Sequence, residues 1–169
     1  MTKKVSSAPE LVSTLVIRPA TDADRPRLIP LINSAFSIET FLEGDRTNEE
    51  SLRAMMRKGD LLAAEDCDGR LVGCVYTEVR GERGYMGMLT VDPARQRSGL
   101  GTRIMEAAEE HLRRQGCKAV DILVLNLRTE LPPIYRRHGF VETGTQKEGL
   151  HRTIKPGVDW HFIIMSKEL

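Results

Sequence analysis

The chain has 169 residues, 40% hydrophobic and 29% charged, which suits one globular domain with a sizeable core. Lysine and arginine number 25 against 24 aspartates and glutamates, a formal net charge of +1, so no global field draws the chain to nucleic acid or an anionic membrane. The longest strongly apolar run, Ile122 to Leu125, is far too short to span a bilayer.

The opening "MTKKVSSAPE" is basic but lacks the apolar stretch of a secretory signal. We expect a mobile tail over residues 1–12, one domain over 13–169, and a cytoplasmic protein. Cys67, Cys74 and Cys117 form no Cys-x-x-Cys pair, and the four histidines form no zincin motif, so free thiols and no metal are expected.

Leu15 to Arg18 reads as a strand. Thr21 with Asp24 makes a capping-box variant opening a helix that runs to about Phe36, and Pro30 should kink or break it. "RTNEESLRAMMRKGD" reads as a second helix, with Thr47 and Glu50 as its capping box and Gly59 as its stop. Leu61 to Glu65 and Leu71 to Val79 form a hairpin turned at Asp68-Gly69, and "GYMGMLTV" is the next strand. From Leu100 to Gln115 the helical period places Leu100, Ile104, Ala108 and Leu112 on one face, with Met105 beside them. Glu109 with Arg113 and Glu110 with Arg114 should lie outward, four residues apart. "KAVDILVLN" is a strand. "LPPIYRRHGF" is a short helix ended by Gly139, and "VETGTQKEG" and "WHFIIMSKEL" supply two closing strands. The order implies a mixed α/β domain: antiparallel hairpins, and one parallel pair joined by the Leu100–Gln115 crossover.

The segment "VDPARQRSGLGTRIM" places Gly99 and Gly101 where that crossover helix must start. Glycine is a poor helix former, so the pair needs another purpose. A helix N-terminus presents unpaired amides and partial positive charge, and glycines ahead of it let an anion approach the backbone. The amides from about Arg97 to Thr102 would then cradle a phosphate, with Gln96 bracing the loop and Arg95, Arg97 and Arg103 around it. A plain glycine-rich cap is the alternative. A dinucleotide fingerprint is excluded because Ile104 stands where the third glycine belongs, and a P-loop because Thr102-Arg103 follows Gly101.

The "Val-Asp-Pro … Gln96-Arg-Ser-Gly99-Leu-Gly101" run after a strand resembles the acyl-CoA-binding motif of the GCN5-related N-acetyltransferase (GNAT) family. "Tyr135-Arg-Arg-His-Gly139-Phe140" resembles its tyrosine-x-x-x-glycine-phenylalanine segment. "Ile17-Arg18-Pro19-Ala20-Thr21" and "Phe162-Ile-Ile-Met165-Ser-Lys167" resemble its first and last strands. The four occur in the family's order, from about Leu15 to the C-terminus. The resemblance implies a GNAT-like fold, a mostly antiparallel sheet with one splayed parallel pair and flanking helices. It also implies acetyl-CoA as cosubstrate and direct transfer to a primary amine of a small molecule or peptide. The cofactor would contact Leu89, Thr90 and Val91 on the strand, Gln96, Arg97, Ser98, Gly99, Leu100, Gly101 and Thr102 on the loop, and Asn126. A backbone amide near Leu89 would steady the developing oxyanion. Tyr135 would be the general acid toward the departing thiolate, since a phenol of pKa about 10 suits that transfer. The wider spacing from Asn126 to Tyr135, with Pro132-Pro133 between, departs from the commonest pattern.

Histone-modifying relatives place a glutamate where this chain has Tyr85, which turns the expectation away from histones. Glu78, on the preceding strand, is then a candidate base, or else an outward-facing strand glutamate. In the family the connection between the first two helices commonly lines the acceptor site; here it carries Glu43 and Asp45, which either hold a cationic amine or stay solvated. Lys147, His151, Arg152 and Lys155 lie between the closing strands and could cover the acceptor site, bind an acidic group or serve a homodimer contact. Two rival readings are a non-catalytic acyl-CoA-binding or regulatory module and an RNA-directed protein. The second is disfavoured because glutamates balance the arginines, so no nucleic-acid partner is expected.

Overall fold

In the computed structural model, which describes residues 14–169, seven strands form one sheet. They are β1 (Val16–Pro19), β2 (Asp60–Glu65), β3 (Leu71–Arg80), β4 (Arg83–Val91), β5 (Ala119–Leu125), β6 (Val141–Gln146) and β7 (Phe162–Glu168). Their order across the sheet is β1-β2-β3-β4-β5-β7-β6. Every neighbouring pair is antiparallel except β4 with β5. The helices are α1 (Arg25–Ala35), α2 (Glu49–Lys58), α3 (Leu100–Arg114) and α4 (Leu131–Arg137). The expected mixed sheet with one parallel pair is therefore present, and α3 is the crossover that makes that pair parallel. The tail expected over residues 1–12 lies outside the described residues. No helix among the described residues is long and apolar enough to cross a membrane.

The sheet separates two apolar layers. Leu100, Ile104, Met105, Ala108 and Leu112 of α3 pack with Val75, Met86, Val120 and Phe140. On the other face Leu28 and Ile32 of α1 and Leu52 of α2 pack on Leu61, Cys74 and Tyr76.

Three local expectations change. First, α1 runs unbroken through Pro30, which is exposed. The proline costs about 3 kcal/mol, but Leu28 and Ile32, at 0% exposure, each contribute roughly 1.5–3 kcal/mol by burial and hold the helix together. Second, Asn48 rather than Thr47 caps α2, accepting from the Ser51 amide at 2.9 Å. Thr47 is buried and exchanges two hydrogen bonds with the Asn33 carboxamide, at 2.9 and 3.1 Å. Third, Glu109 points inward: one turn after Met105, it falls on the covered face of α3 and meets Lys167 of β7 at 2.9 Å. Its expected partner Arg113 joins Arg114 on Glu110 instead.

Candidate active site

β4 and β5 share three register pairs only, from Arg83 with Ala119 to Tyr85 with Asp121. Beyond Tyr85 the strands part. The cause lies on the other edge of β4, where Cys74 pairs with Thr90 but Tyr76 pairs with Gly87, so Met88 and Leu89 stand opposite Val75 alone. Met88 takes φ +50 in this bulge, and the Thr90 hydroxyl donates to the Met88 carbonyl at 3.0 Å. A bulge bends and twists its strand, which turns the end of β4 away. β5 cannot follow, because it pairs with β7 along its whole length to Leu125. Asn126 extends that pairing: its amide donates to the His161 carbonyl at 3.0 Å, and its Oδ1 accepts from the His161 amide at 2.8 Å.

The loop after β4 is fixed at its entry. The Asp92 amide donates to the Val72 carbonyl at 2.8 Å, and its carboxylate accepts from the Ala94 amide at 2.9 Å, capping a short 3-10 turn over Pro93–Arg95. Arg97 at φ +66 and Gly99 at φ +83 then curl the backbone into the first turn of α3, whose leading amides have no intrahelical acceptor. A Cβ on Gly99 would meet nothing within 4 Å, and one on Gly101 only Val91 Cγ2 at 3.6 Å. Gly101 is therefore not small to make room for a protein neighbour. The space at Gly99 and Gly101 is open, and unpaired amides at a helix start suit an anion. Gln96 and Arg97 are exposed beside it. Arg95 is not part of the expected ring of positive charge, because its guanidinium binds the buried Asp66 at 2.8 Å. That contact ties the loop to the β2–β3 turn.

Tyr135 lies on α4, half-buried, with its ring edge-on to Phe140 at 5.6 Å. Burial pushes its phenol up to about 12; Arg128 acts in the opposite direction and Tyr85 in the same one. Glu78 of β3 stands opposite Tyr85 in the register. It accepts from the Tyr76 hydroxyl at 2.7 Å and from Arg80 Nε at 3.0 Å. The Arg80 contact, with help from Tyr76 and against partial burial, holds its carboxyl below the usual range. Glu43 is exposed; its backbone amide donates to the Thr153 carbonyl at 2.8 Å. Asp45 is exposed on the rim of a groove of about 280 Å³, which also touches Phe36, Glu39, Arg46 and Arg152.

Several of the groups gathered here had no site role in the sequence reading. Tyr85 carries Arg80 over its ring at 4.3 Å. Its hydroxyl folds over Gly87, where a Cβ would stand 2.6 Å from it. The buried Glu39 binds Arg128 through one carboxylate oxygen and Arg152 through the other, both at 3.0 Å. Arg152 also donates to the Gly44 carbonyl at 2.8 Å. These partners stand 89 and 113 residues apart in the chain, so no local spacing could signal them. The Tyr85-x-Gly87 pair was the one available hint.

This splayed strand pair followed by an amide-lined helix start defines an acyl-CoA transferase type of fold. Comparison with known proteins agrees. Residues 31–154 match the family model described as the acetyltransferase (GNAT) domain, and the chain belongs to that family. It is 30% identical over 132 residues to a mycothiol acetyltransferase of Propionibacterium freudenreichii, covering 73% of this chain and 42% of that protein. It is 35% identical over 112 residues to glucosamine 6-phosphate N-acetyltransferase 1 of rice, covering 62% and 66%. The chain thus spans less than half the length of the mycothiol acetyltransferases it matches. Among solved structures, one described as a putative phosphinothricin N-acetyltransferase superposes with TM-score 0.76 at 18% identity, covering 92% of this chain and 98% of that one. A GNAT acetyltransferase of Elizabethkingia anophelis with acetyl-CoA bound gives 0.72 at 19%, covering 92% and 99%.

Proposed function

We propose that the protein is an enzyme that transfers the acetyl group of acetyl-CoA directly to a primary amine of a small molecule or peptide. The observation that carries this reading is the cleft where β4 leaves β5, continued by a loop whose amides face open space at Gly101. When bound, acetyl-CoA would supply an activated acyl thioester. The amides from Arg97 to Thr102, with Gln96 and Ser98, hold its pyrophosphate, and Leu89, Thr90 and Val91 present backbone on the edge that β5 has left. The Leu89 amide, in the bulge of β4, donates to the acyl oxygen. Asn126 keeps its carboxamide N–H group for the pantetheine arm, since its oxygen already serves His161.

Tyr135 enters with its proton in place, because its phenol is neutral well above physiological pH, and delivers it to the thiolate. Glu78 is ionised and takes a proton from the acceptor ammonium through water, leaving the free amine to attack the thioester carbonyl. Asp45, with Glu43 beside it, faces the acceptor's cationic end. A higher KM for the amine in the Glu43→Gln, Asp45→Asn double variant checks this; an unchanged KM dismisses both. The small-amine reading is favoured over an RNA partner because Arg95, Arg113, Arg114 and Arg136 are engaged by Asp66, Glu110 and Glu142.

The deciding experiment is calorimetric acetyl-CoA binding to wild type and Gly101→Trp. A Cβ at this position meets only a methyl group at 3.6 Å, so the backbone tolerates a side chain there and the indole fills the phosphate space. Saturable binding by wild type, lost in a variant that melts normally, is expected. Binding retained by the variant removes the loop from the cofactor site, and no binding by folded wild type overturns the enzyme.

A further inference from the structure

The loop between α1 and α2 brings a guanidinium to the acceptor side, where none of the described residues gives it a counter-ion. Arg46 is half-buried, and one face of its guanidinium lies on the Phe36 ring, 5.2 Å from the centroid. Among the described residues no carboxylate or carbonyl accepts from it. The nearby acid is Glu39, whose field reaches Arg46, but both Glu39 oxygens are occupied by Arg128 and Arg152. Asp45 is adjacent in the chain and exposed, and forms no ion pair with Arg46. Three guanidiniums therefore share Glu39 and the outlying Glu130, which binds Arg128 at 2.6 Å. Lys155 on the same groove adds a further cation.

Removing an arginine from water without a partner is costly, and arginine does not escape by losing its proton. Chains keep such a residue where a ligand completes it. The position relative to the chemistry is also informative. Arg46 acts electrostatically on Tyr85 and on Cys74, which pairs with Thr90 across the β3–β4 ladder. Tyr85 and Arg128 in turn act on Tyr135. The groove of about 280 Å³ is lined by Arg46 with Phe36, Glu39, Asp45, Arg152 and Lys155, on the α1–α2 connection that the acetyltransfer reading gives to the acceptor.

We infer that the acceptor amine carries an oxyanion, a carboxylate or a phosphate, which the free guanidinium of Arg46 binds in this groove, with Arg152 held behind it by Glu39. The inference rests on the acetyltransfer reading and narrows its substrate class to amines bearing an acid group. The planar fork of arginine pairs with either oxyanion through two parallel hydrogen bonds. Asp45, on the rim, is placed for the ammonium end of the same zwitterion.

The test uses the full chain and matched acceptors: an α-amino acid against its amide, and phosphoethanolamine against ethanolamine. Wild type should favour the anionic member of at least one pair by about 10- to 100-fold in kcat/KM, the range expected for one charge-assisted contact. The preferred pair distinguishes carboxylate from phosphate. In Arg46→Gln the preference should collapse toward unity, and Arg46→Lys should keep part of it. Equal use of both members, or a preference that survives Arg46→Gln, overturns the inference while leaving acetyltransfer intact. A second readout does not depend on turnover. The Arg46 Nε–H resonance of labelled protein should shift on titration with acetate or inorganic phosphate, in wild type and equally in Gly101→Trp. No shift with either anion overturns the inference, whether or not acetyl-CoA binds. Arg46→Gln should melt no lower than wild type; a clearly lower melting temperature would make Arg46 a structural residue.

Discussion

Tyr135 and Glu78 are one residue type each, yet their surroundings set opposite tendencies. Burial raises the Tyr135 phenol to about 12, so the proton-donating form persists through the neutral and mildly alkaline range. Tyr135→Phe should lower kcat about 100-fold or more while acetyl-CoA affinity changes little. Because the shift is upward, no alkaline loss of rate below about pH 10 should trace to this group. A wild-type alkaline limb in that range that vanishes in the variant would contradict the assignment, and unchanged turnover would remove the general-acid role. Glu78 is shifted downward by Arg80 and Tyr76, which keeps it charged but makes it a weak base. Glu78→Gln should therefore cost less turnover than Tyr135→Phe; a larger loss would make Glu78 the principal base. The short helix that carries Tyr135, with Gly139 after it, was legible in the sequence because its motif is local. The bonds to Tyr76 and Arg80 were not spelled out by spacing, although they come from the same strand.

Between elements, the capping box at Thr21 does more than start a helix. Asp24, 3% exposed, accepts from the Thr21 amide at 2.7 Å, from Arg18 at 2.8 and 2.9 Å and from Arg27 at 3.1 Å, while Arg18 also holds Glu65. β1, β2 and the start of α1 are joined through the Arg18 guanidinium, which holds Asp24 and Glu65 together. Arg18, with help from Thr21 and Arg27 and against burial, keeps the Asp24 carboxyl far below the usual range. A depressed pKa adds stability that is present above the unfolded value, near 3.9, and lost as pH falls below it. Asp24→Asn should cost about 2–3 kcal/mol at neutral pH, less than a fully buried pair because Arg18 is partly exposed. Urea midpoints of the two proteins should converge below about pH 4; a constant gap would show that charge is not the cause. Sequence reading found the cap because its two residues are three apart. It missed the Arg18 and Glu65 contacts, and likewise Glu109 with Lys167, because these bonds close only when the sheet does.

For the molecule as a whole, the cleft depends on how closely α3 lies against β3 and β4. Gly73 is the point of contact: a Cβ there would stand 2.5 Å from both the Thr90 carbonyl oxygen and Ile104 Cδ1. Ile104 can turn aside, but the Thr90 backbone is anchored in the ladder beside the bulge. Gly73→Ala should cost about 1–3 kcal/mol by overpacking and weaken acetyl-CoA binding with it, because the bulge and the first turn of α3 shift together. Thermal melts beside calorimetry would check this, and a variant with wild-type stability would show that the approach has slack. Gly101→Trp should do the reverse, losing affinity without stability.

The order of elements, the single parallel crossover, the loop ahead of α3 and the tyrosine segment were readable along the chain. Each of these depends on residues close in the chain, through period, capping and glycine placement. Tertiary structure decided where β4 leaves β5, because that needs a bulge against β3 and a full ladder between β5 and β7. It also decided that Arg95 braces a turn, that Glu109 faces inward, and that Glu39 gathers arginines from distant segments while Arg46 meets the Phe36 ring and no carboxylate among the described residues. Those outcomes depend on which side chains meet across the sheet, and periodicity along the chain carries no information about that.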